Sequence, residues 1–117
     1  ETPLADEAPA AAEIVVAESG VLIEQVGRLK KSLARALGPK IRVNAIAPGM
    51  VDSPWLKQGM GAERYAKQEA LYKATAALEE IISPEDVADT AWWLGAGAAK
   101  TTGEVILVDA GLRITKG

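Results

Sequence analysis

The feature that most constrains the fold is an amphipathic segment held between two short runs rich in β-branched residues. Its apolar side chains recur at spacings of four, three, four and four, which places them along one stripe of an α-helix: Leu22, Val26, Leu29, Leu33 and Leu37. Ser19 can cap the start of this helix, and Gly38-Pro39 predicts its end. Residues 13–17 and 41–47 are rich in valine and isoleucine and predict strands. This order predicts a β-α-β unit.

The rest of the chain continues the alternation. Residues 63–80 predict a second helix, and Ser83-Pro84-Glu85-Asp86 combines a capping residue, a first-turn proline and an acid three residues after the cap. The helix that begins there is expected to end at Gly95. Residues 104–109 contain four consecutive apolar side chains, which predict a strand buried on both faces. The expected fold class is therefore α/β, a partial doubly wound parallel sheet of about three strands with flanking helices.

Two stretches interrupt this pattern. Residues 1–12 are rich in alanine, proline and acids without any period, and predict a mobile acidic leader before a single α/β domain at 13–117. Residues 50–61 contain Pro54 and two glycines, and predict an irregular loop that exposes Trp55 and Leu56.

The composition excludes several kinds of chemistry. The 117 residues include no cysteine and no histidine, which removes disulfides, Cys/His metal sites, thiolate nucleophiles and imidazole bases; we expect no metal site. The net charge of −3 gives no reason to expect a nucleic-acid partner. No segment approaches the roughly 20 apolar residues of a membrane span, and no secretory signal is present, so we expect no membrane partner and a cytoplasmic location. A basic block at 28–42 is interpreted as a solvated helix face and final turn, rather than an anion site.

Two familiar catalytic patterns are missing from the chain. Neither Gly59-Met60-Gly61 nor Gly95-Ala96-Gly97 follows a strand or supplies the third glycine of a dinucleotide-binding turn. A tyrosine and a lysine four residues apart on a helix could transfer a proton to a carbonyl, but Tyr65 is followed by Glu69 and Tyr72 by Ala76.

The best candidate for a binding site is the turn after the second predicted strand. Ligands of open α/β sheets bind beyond the carboxyl ends of parallel strands, where Pro48-Gly49 lies. Gly49 would let a ligand approach the backbone, the amides of Val51 and Asp52 could donate hydrogen bonds to it, and Ser53 adds a hydroxyl. An ordinary strand-to-loop turn is the alternative, and the residue types by themselves favour it.

Three blocks of the chain resemble the short-chain dehydrogenase/reductase family. The run SLARALGPKIRVNAIAPG at 32–49 resembles the segment after that family's active site. The runs SPEDVA at 83–88 and GEVILVDAG at 103–111 resemble its last helix and last strand, in the same order and spacing. The resemblance covers residues 29–114 and implies a Rossmann-like fold, a homo-oligomer, and NAD(P)-dependent oxidoreduction of an alcohol or ketone.

The resemblance also implies part of a cofactor site. Pro48, Gly49, Val51 and Ser53 match the stretch that contacts the nicotinamide of NAD or NADP, with the Ser53 hydroxyl at the position that binds the carboxamide. A substrate loop is implied at Met50, Trp55 and Leu56, within a region that runs to about residue 80. Residues 84–109 match elements commonly used for subunit contacts.

The rest of the family's active site has no counterpart in these residues. The Gly-rich turn, the Asn-Ala-Gly strand and the catalytic serine are absent, and the positions of the catalytic tyrosine and lysine fall on Ser19 and Ile23. We therefore assign no catalytic residue and expect a family member that is inactive as this isolated chain and needs a complementary short-chain dehydrogenase/reductase chain. The alternative is a catalytically silent assembly module that pairs with itself or with an intact relative. A third possibility is an unrelated small α/β domain that keeps the turn at Gly49 as a ligand site.

Overall fold

A computed structural model describes residues 11–16 and 20–114, and the surroundings of their side chains from residue 27 onward. Of the leader predicted at 1–12, residues 1–10 lie outside the described residues, as does the Ser19 cap, whereas Ala11 and Ala12 belong to the first strand. The elements follow one another as β1 (Ala11–Val16), α1 (Gly20–Leu37), β2 (Ile41–Pro48), α2 (Pro54–Met60), α3 (Ala62–Thr75), α4 (Pro84–Ala96) and β3 (Val105–Val108). The predicted α/β class is confirmed.

The three described strands form one sheet in the order β1-β2-β3. Strands β1 and β2 are parallel, with a register that runs from Ala11 opposite Ile41 to Val16 opposite Ile46. On the other side of β2, the Ala45 amide donates to Glu104 O at 2.8 Å and the Gly49 amide to Val108 O at 2.9 Å. Both bonds advance in the same direction along the two chains, so β3 also runs parallel to β2.

The described residues divide into two compact units, one within Glu1–Ala47 and Asp89–Ile106 and the other within Pro48–Ala88 and Leu107–Gly117. In the first unit, every residue of β2 from Arg42 onward is buried. The described part of α1 buries Lys30 and Ala34, whereas Leu29 is 55% exposed. At Leu29, the apolar stripe predicted for α1 therefore does not coincide with the buried face of the helix. The interpretation of the basic block as solvated is also wrong for Lys30 and Arg42.

The buried side chain of Arg42, on β2, binds backbone carbonyl oxygens at the end of α4. Its guanidinium donates to Leu94 O at 2.8 Å, to Ala98 O at 3.0 Å and to Gly95 O at 3.3 Å. The last carbonyls of an α-helix lack partners within the helix and carry partial negative charge, which favours a cation there. The second buried base, Lys30, is destabilised as a cation, because desolvation lowers the pKa of its ammonium group.

Asn44, on β2, connects this strand to the segment that leads into β3. Its side chain donates to Thr101 O at 3.0 Å and accepts from the Glu104 amide at 3.1 Å. The hydroxyl of Thr102 accepts from the Val43 amide at 3.0 Å. The bonds to Thr101 and Glu104 give both polar atoms of the fully buried Asn44 side chain a partner.

The helix boundaries show which local signals were decisive. The predicted start of α4 is confirmed: the Asp86 amide donates to Ser83 Oγ at 3.0 Å, and the Ser83 amide donates to Asp86 Oδ2 at 2.8 Å. The prediction of an irregular loop at 50–61 is wrong, because residues 54–60 form α2. The predicted helix at 63–80 ends at Thr75, since Ala76 is extended and Glu79 has a positive φ of 61°.

The strand β3 also differs from its prediction. It spans Val105–Val108 rather than 104–109, and its side chains are half-buried or exposed, so it is not buried on both faces in the described structure. Four apolar residues in a row predict a strand correctly but cannot show that both faces are covered.

Candidate functional site

The candidate site begins where β2 ends. Pro48 is buried as the last residue of β2, and the Gly49 amide that follows donates to Val108 O. The turn thus lies at the carboxyl ends of two neighbouring parallel strands, where open α/β sheets bind their ligands.

The Tyr72 side chain of α3 lies against this turn. A side chain at position 49 would overlap the Tyr72 hydroxyl and would lie 3.2 Å from the Asp109 Cα. That hydroxyl donates to Asp109 O at 2.6 Å. Burial raises the pKa of Tyr72, while a backbone hydrogen bond from Met50 acts in the opposite direction. The reason for glycine at position 49 is therefore the close approach of Tyr72, which the sequence reasoning did not find.

The segment after the turn pairs with the chain that leads into α4. Val51 forms an isolated parallel bridge with Ile82: the Ile82 amide donates to Met50 O, and the Asp52 amide donates to Ile82 O, both at 2.8 Å. The expectation that the Asp52 amide serves a ligand is therefore wrong, because Ile82 already accepts from it. Successive peptide groups of an extended chain alternate in direction, so the Val51 N–H and C=O point away from Ile82.

Ser53 has a structural role that limits what its oxygen can do for a ligand. Its backbone is extended, and its Oγ accepts from the Leu56 amide at 3.2 Å as the N-cap of α2. The hydroxyl proton remains available as a donor. The helix that begins there exposes 74% of Trp55, as predicted, whereas Leu56 is half-buried. Ser53 followed by Pro54 is a helix-start signal that the prediction of a loop overlooked.

Asp52, Tyr65 and Lys57 form a cluster beside this segment. The Tyr65 hydroxyl donates to Asp52 Oδ1 at 2.6 Å, Lys57 Nζ lies 3.4 Å from the same oxygen, and that ammonium lies 5.3 Å from the centre of the Tyr65 ring. The bond from Tyr65 lowers the pKa of the Asp52 carboxyl. Burial, reinforced by the hydrogen bond to Asp52, raises the pKa of Tyr65 to about 12.

A tyrosine beside a lysine invites comparison with a proton-transfer pair, but this cluster has the opposite electrostatics. A tyrosine that gives up a proton near neutral pH needs a lowered pKa. Tyr65 donates to a carboxylate and holds its proton more tightly than a free tyrosine does. We conclude that the cluster ties α2 to α3 and does not transfer protons. Tyr65 and Tyr72 are seven residues apart, which places them on one face of α3 and was a readable signal in the sequence.

The raised pKa of Tyr65 predicts a specific loss of stability in alkali. The unfolded chain releases this proton near pH 10 and the folded chain only near pH 12, so the folded chain binds more protons between these values. The free energy of unfolding should therefore fall as the pH rises through this range. Urea unfolding of the chain and of Tyr65→Phe at pH 9.5, 10.5 and 11.5 checks this. As the pH rises, the free energy of unfolding of the original chain should fall relative to that of Tyr65→Phe. A difference between the two that does not depend on pH would contradict the raised pKa of Tyr65.

The residues that the structure describes form neither a membrane-spanning helix nor a metal centre. None of the described helices is long and apolar enough to cross a membrane. Among the described residues, no group of three or more acidic, histidine or cysteine side chains could hold a metal ion. The chain positions that match the family's catalytic tyrosine and lysine, Ser19 and Ile23, lie outside the residues whose side chains are described.

The parallel strands, the crossover helix and the turn at the carboxyl end of β2 form part of an open, Rossmann-like α/β fold. A family model described as enoyl-(acyl carrier protein) reductase matches residues 23–113. The chain therefore belongs to the short-chain dehydrogenase/reductase family, as its motifs predicted.

Individual relatives agree with this assignment. The chain is 40% identical over 100 residues to 3beta-hydroxysteroid dehydrogenase 1 of Eggerthella lenta, covering 79% of this chain and 35% of that protein. It is 36% identical over 85 residues to the enoyl-acyl-carrier-protein reductase (NADH) FabI of Haemophilus influenzae, covering 71% and 31%. The crystal structure of FabI from Candidatus Liberibacter asiaticus superposes with a TM-score of 0.76 at 25% identity, covering 91% of this chain and 45% of that one. The chain thus spans about a third of the length of these curated relatives.

Proposed function

We propose that this chain supplies the nicotinamide end of the cofactor site of an NAD(P)-dependent oxidoreductase that acts on an alcohol or ketone. Bound cofactor would exchange a hydride with the substrate carbon, and Pro48, Gly49, Val51 and Ser53 would hold its nicotinamide. As this isolated chain, the protein would not turn over substrate.

The observation that carries the proposal is the free backbone edge at Val51. Its neighbours Met50 and Asp52 are both bonded to Ile82, so the Val51 N–H and C=O point to the other side. No described residue accepts from the Val51 N–H. A carboxamide has one acceptor oxygen and two donor hydrogens, so it complements an N–H and a C=O presented side by side. The Ser53 hydroxyl proton adds a second donor two residues later.

The same residues explain why the isolated chain should lack turnover. Hydride exchange with a ketone needs a proton donor at the carbonyl oxygen. The tyrosine hydroxyls of the chain, on Tyr65 and Tyr72, already donate to protein oxygens, and both have raised pKa values. Histidine and cysteine are absent from the sequence. A complementary chain or segment would have to supply the acid and the pyrophosphate-binding turn.

The relatives support the substrate and cofactor class. One is named as a hydroxysteroid dehydrogenase and another as an NADH-dependent reductase. Those names fit oxidoreduction with a nicotinamide cofactor.

Binding of a nicotinamide fragment tests the proposal. We expect reduced nicotinamide mononucleotide to shift the ¹H–¹⁵N resonances of Val51 and Ser53 in a saturable way, with a dissociation constant of about 1 mM, because only one end of the cofactor is held. Adenosine monophosphate is the matched control and should leave both resonances unchanged. Unshifted resonances at 10-fold higher nicotinamide mononucleotide would overturn the proposal, as would NADH oxidation by the isolated chain with a ketone substrate.

A second function, assembly with another copy or an intact relative, is favoured by unpaired surface in the first unit. In the described sheet, β1 is hydrogen-bonded to β2 on one side only. Leu29 is exposed, and so are Trp92 and Trp93. Unpaired strand edges and exposed apolar side chains recruit other chains. Sedimentation of the same samples decides this point: a monomer at 100 µM (about the working concentration of such spectra) would count against assembly, whereas a dimer would support it.

A further inference from the structure

The hydroxyl of Tyr72 joins two turns that follow neighbouring strands. It donates to Asp109 O at 2.6 Å after β3, and it lies directly against the Gly49 backbone after β2. The Asp109 carboxylate in turn accepts from the Gly111 amide at 3.0 Å and the Arg113 amide at 3.1 Å. One buried phenol therefore contacts the backbone at both carboxyl strand ends of this unit.

The same hydroxyl occupies the space beside Gly49. A Cβ atom at residue 49 would overlap the phenol oxygen, and it would lie 3.0 Å from the ring carbon that bears this oxygen. The Gly49 backbone is thus packed directly on the edge of Tyr72. Any movement of that edge changes the path of the chain from Gly49 to Val51.

We propose that Tyr72 is the positioning residue of the nicotinamide contact: its hydroxyl fixes the turn at Gly49 and Met50 so that the Val51 N–H and C=O are presented to the carboxamide. This inference rests on the proposed function of the turn. Tyr72 itself does not touch the nicotinamide in this arrangement. It acts through the backbone of the turn, so removal of its hydroxyl should weaken nicotinamide binding although the hydroxyl makes no contact with the nicotinamide.

Tyr65 provides a matched comparison for Tyr72. Both tyrosines are buried on α3, and each hydroxyl donates one hydrogen bond of 2.6 Å. The acceptor of Tyr65 is the Asp52 side chain, whereas the acceptor of Tyr72 is backbone. The bond of Tyr65 to a carboxylate is the stronger of the two, but only removal of the Tyr72 hydroxyl should release the turn.

The test compares Tyr72→Phe with Tyr65→Phe. We expect Tyr72→Phe to speed amide hydrogen exchange at Met50 and Val51 about 10-fold, and to weaken binding of reduced nicotinamide mononucleotide by a similar factor. Tyr65→Phe should change both quantities less than twofold. If both variants leave exchange and binding within twofold of the original chain, Tyr72 does not position the turn.

A substitution at Gly49 gives a second readout that does not require cofactor. Gly49→Ala should disrupt the turn in the original chain, because its methyl would overlap the Tyr72 hydroxyl. In the Tyr72→Phe background the overlap with the oxygen is gone and only the closer-than-usual contacts with the ring carbon at 3.0 Å and the Asp109 Cα at 3.2 Å remain, so the same substitution should be less damaging by urea unfolding. Additive effects would overturn the inference. If the mononucleotide binds no variant while the two substitutions are coupled, the proposed function fails and the positioning of the turn stands.

Discussion

Replacing Arg42 by methionine should lower the free energy of unfolding by about 3 kcal/mol, which for a chain of this size lowers the melting temperature by roughly 10 °C. The methionine fills much of the same volume, so the main change is the loss of the guanidinium. Leu94 O, Gly95 O and Ala98 O would then remain at the end of α4 without the donor that serves them now. A buried acceptor left without a partner costs about 1–3 kcal/mol.

Burying the charge of Arg42 is itself costly, so its removal has a favourable as well as an unfavourable effect on stability. Replacing a buried ion pair by apolar residues is often neutral or favourable, since two desolvated charges disappear together. Arg42 differs, because its acceptors are backbone carbonyls that remain in place whatever occupies position 42. The helix end also supplies negative potential that already stabilises the cation. One buried nitrogen, Nε, has no partner among the described residues, and its removal offsets only part of the loss.

Arg35→Met is the matched control for Arg42→Met. Arg35 lies on α1 and is exposed, so its replacement should change the free energy of unfolding by less than about 0.5 kcal/mol. Equal effects of the two substitutions in thermal unfolding would show that the bonds to the end of α4 contribute nothing. Arg42→Lys should recover only part of the stability, because one ammonium cannot reproduce the planar fork that reaches several carbonyls.

The sequence predicted the elements whose signals are local. The ends of α1 and β2 at Gly38-Pro39 and Pro48-Gly49, and the cap at Ser83, depend on residues that are close together in the chain, and each lies where it was predicted. The same reasoning overlooked α2, although Ser53 and Pro54 give the same kind of signal as Ser83 and Pro84. The glycines at 59 and 61 outweighed that signal, yet Gly59 is tolerated inside the helix and Gly61 follows its end.

Contacts between distant residues could not be predicted in this way. Arg42 belongs to a run of bases, and nothing near it indicates an acceptor more than 50 residues away. The requirement for glycine at position 49 is set by Tyr72, 23 positions later, and the loss of the Asp52 amide as a ligand donor is set by Ile82. The motif indicates where along the chain the candidate site lies. Which backbone groups remain free there depends on packing that the motif does not specify.

Gly111→Ala should lower the free energy of unfolding by about 3 kcal/mol, through two separable causes. The backbone at Gly111 has a φ of 78°, a conformation that costs an L-residue roughly 1–2 kcal/mol. A methyl group there would also lie 2.7 Å from the Cβ of Ala77, closer than two carbon atoms can approach. Ala77 cannot move freely, because the next residue, Leu78, donates its amide to Ala110 O at 2.8 Å.

The chain contains the control that separates strain from collision. Gly103 has a nearly identical φ of 76°, but a methyl group there would lie 3.7 Å from its nearest neighbour, at ordinary contact distance. Gly103→Ala should therefore show the strain alone, about 1 kcal/mol in urea unfolding. Ala77→Gly combined with Gly111→Ala removes the collision and should bring the loss down to that of Gly103→Ala, after correction for Ala77→Gly by itself. If Gly111→Ala is no worse than Gly103→Ala, the turn after β3 can shift away from Ala77, and the rigid connection that Tyr72 is proposed to make at Asp109 would lose its support.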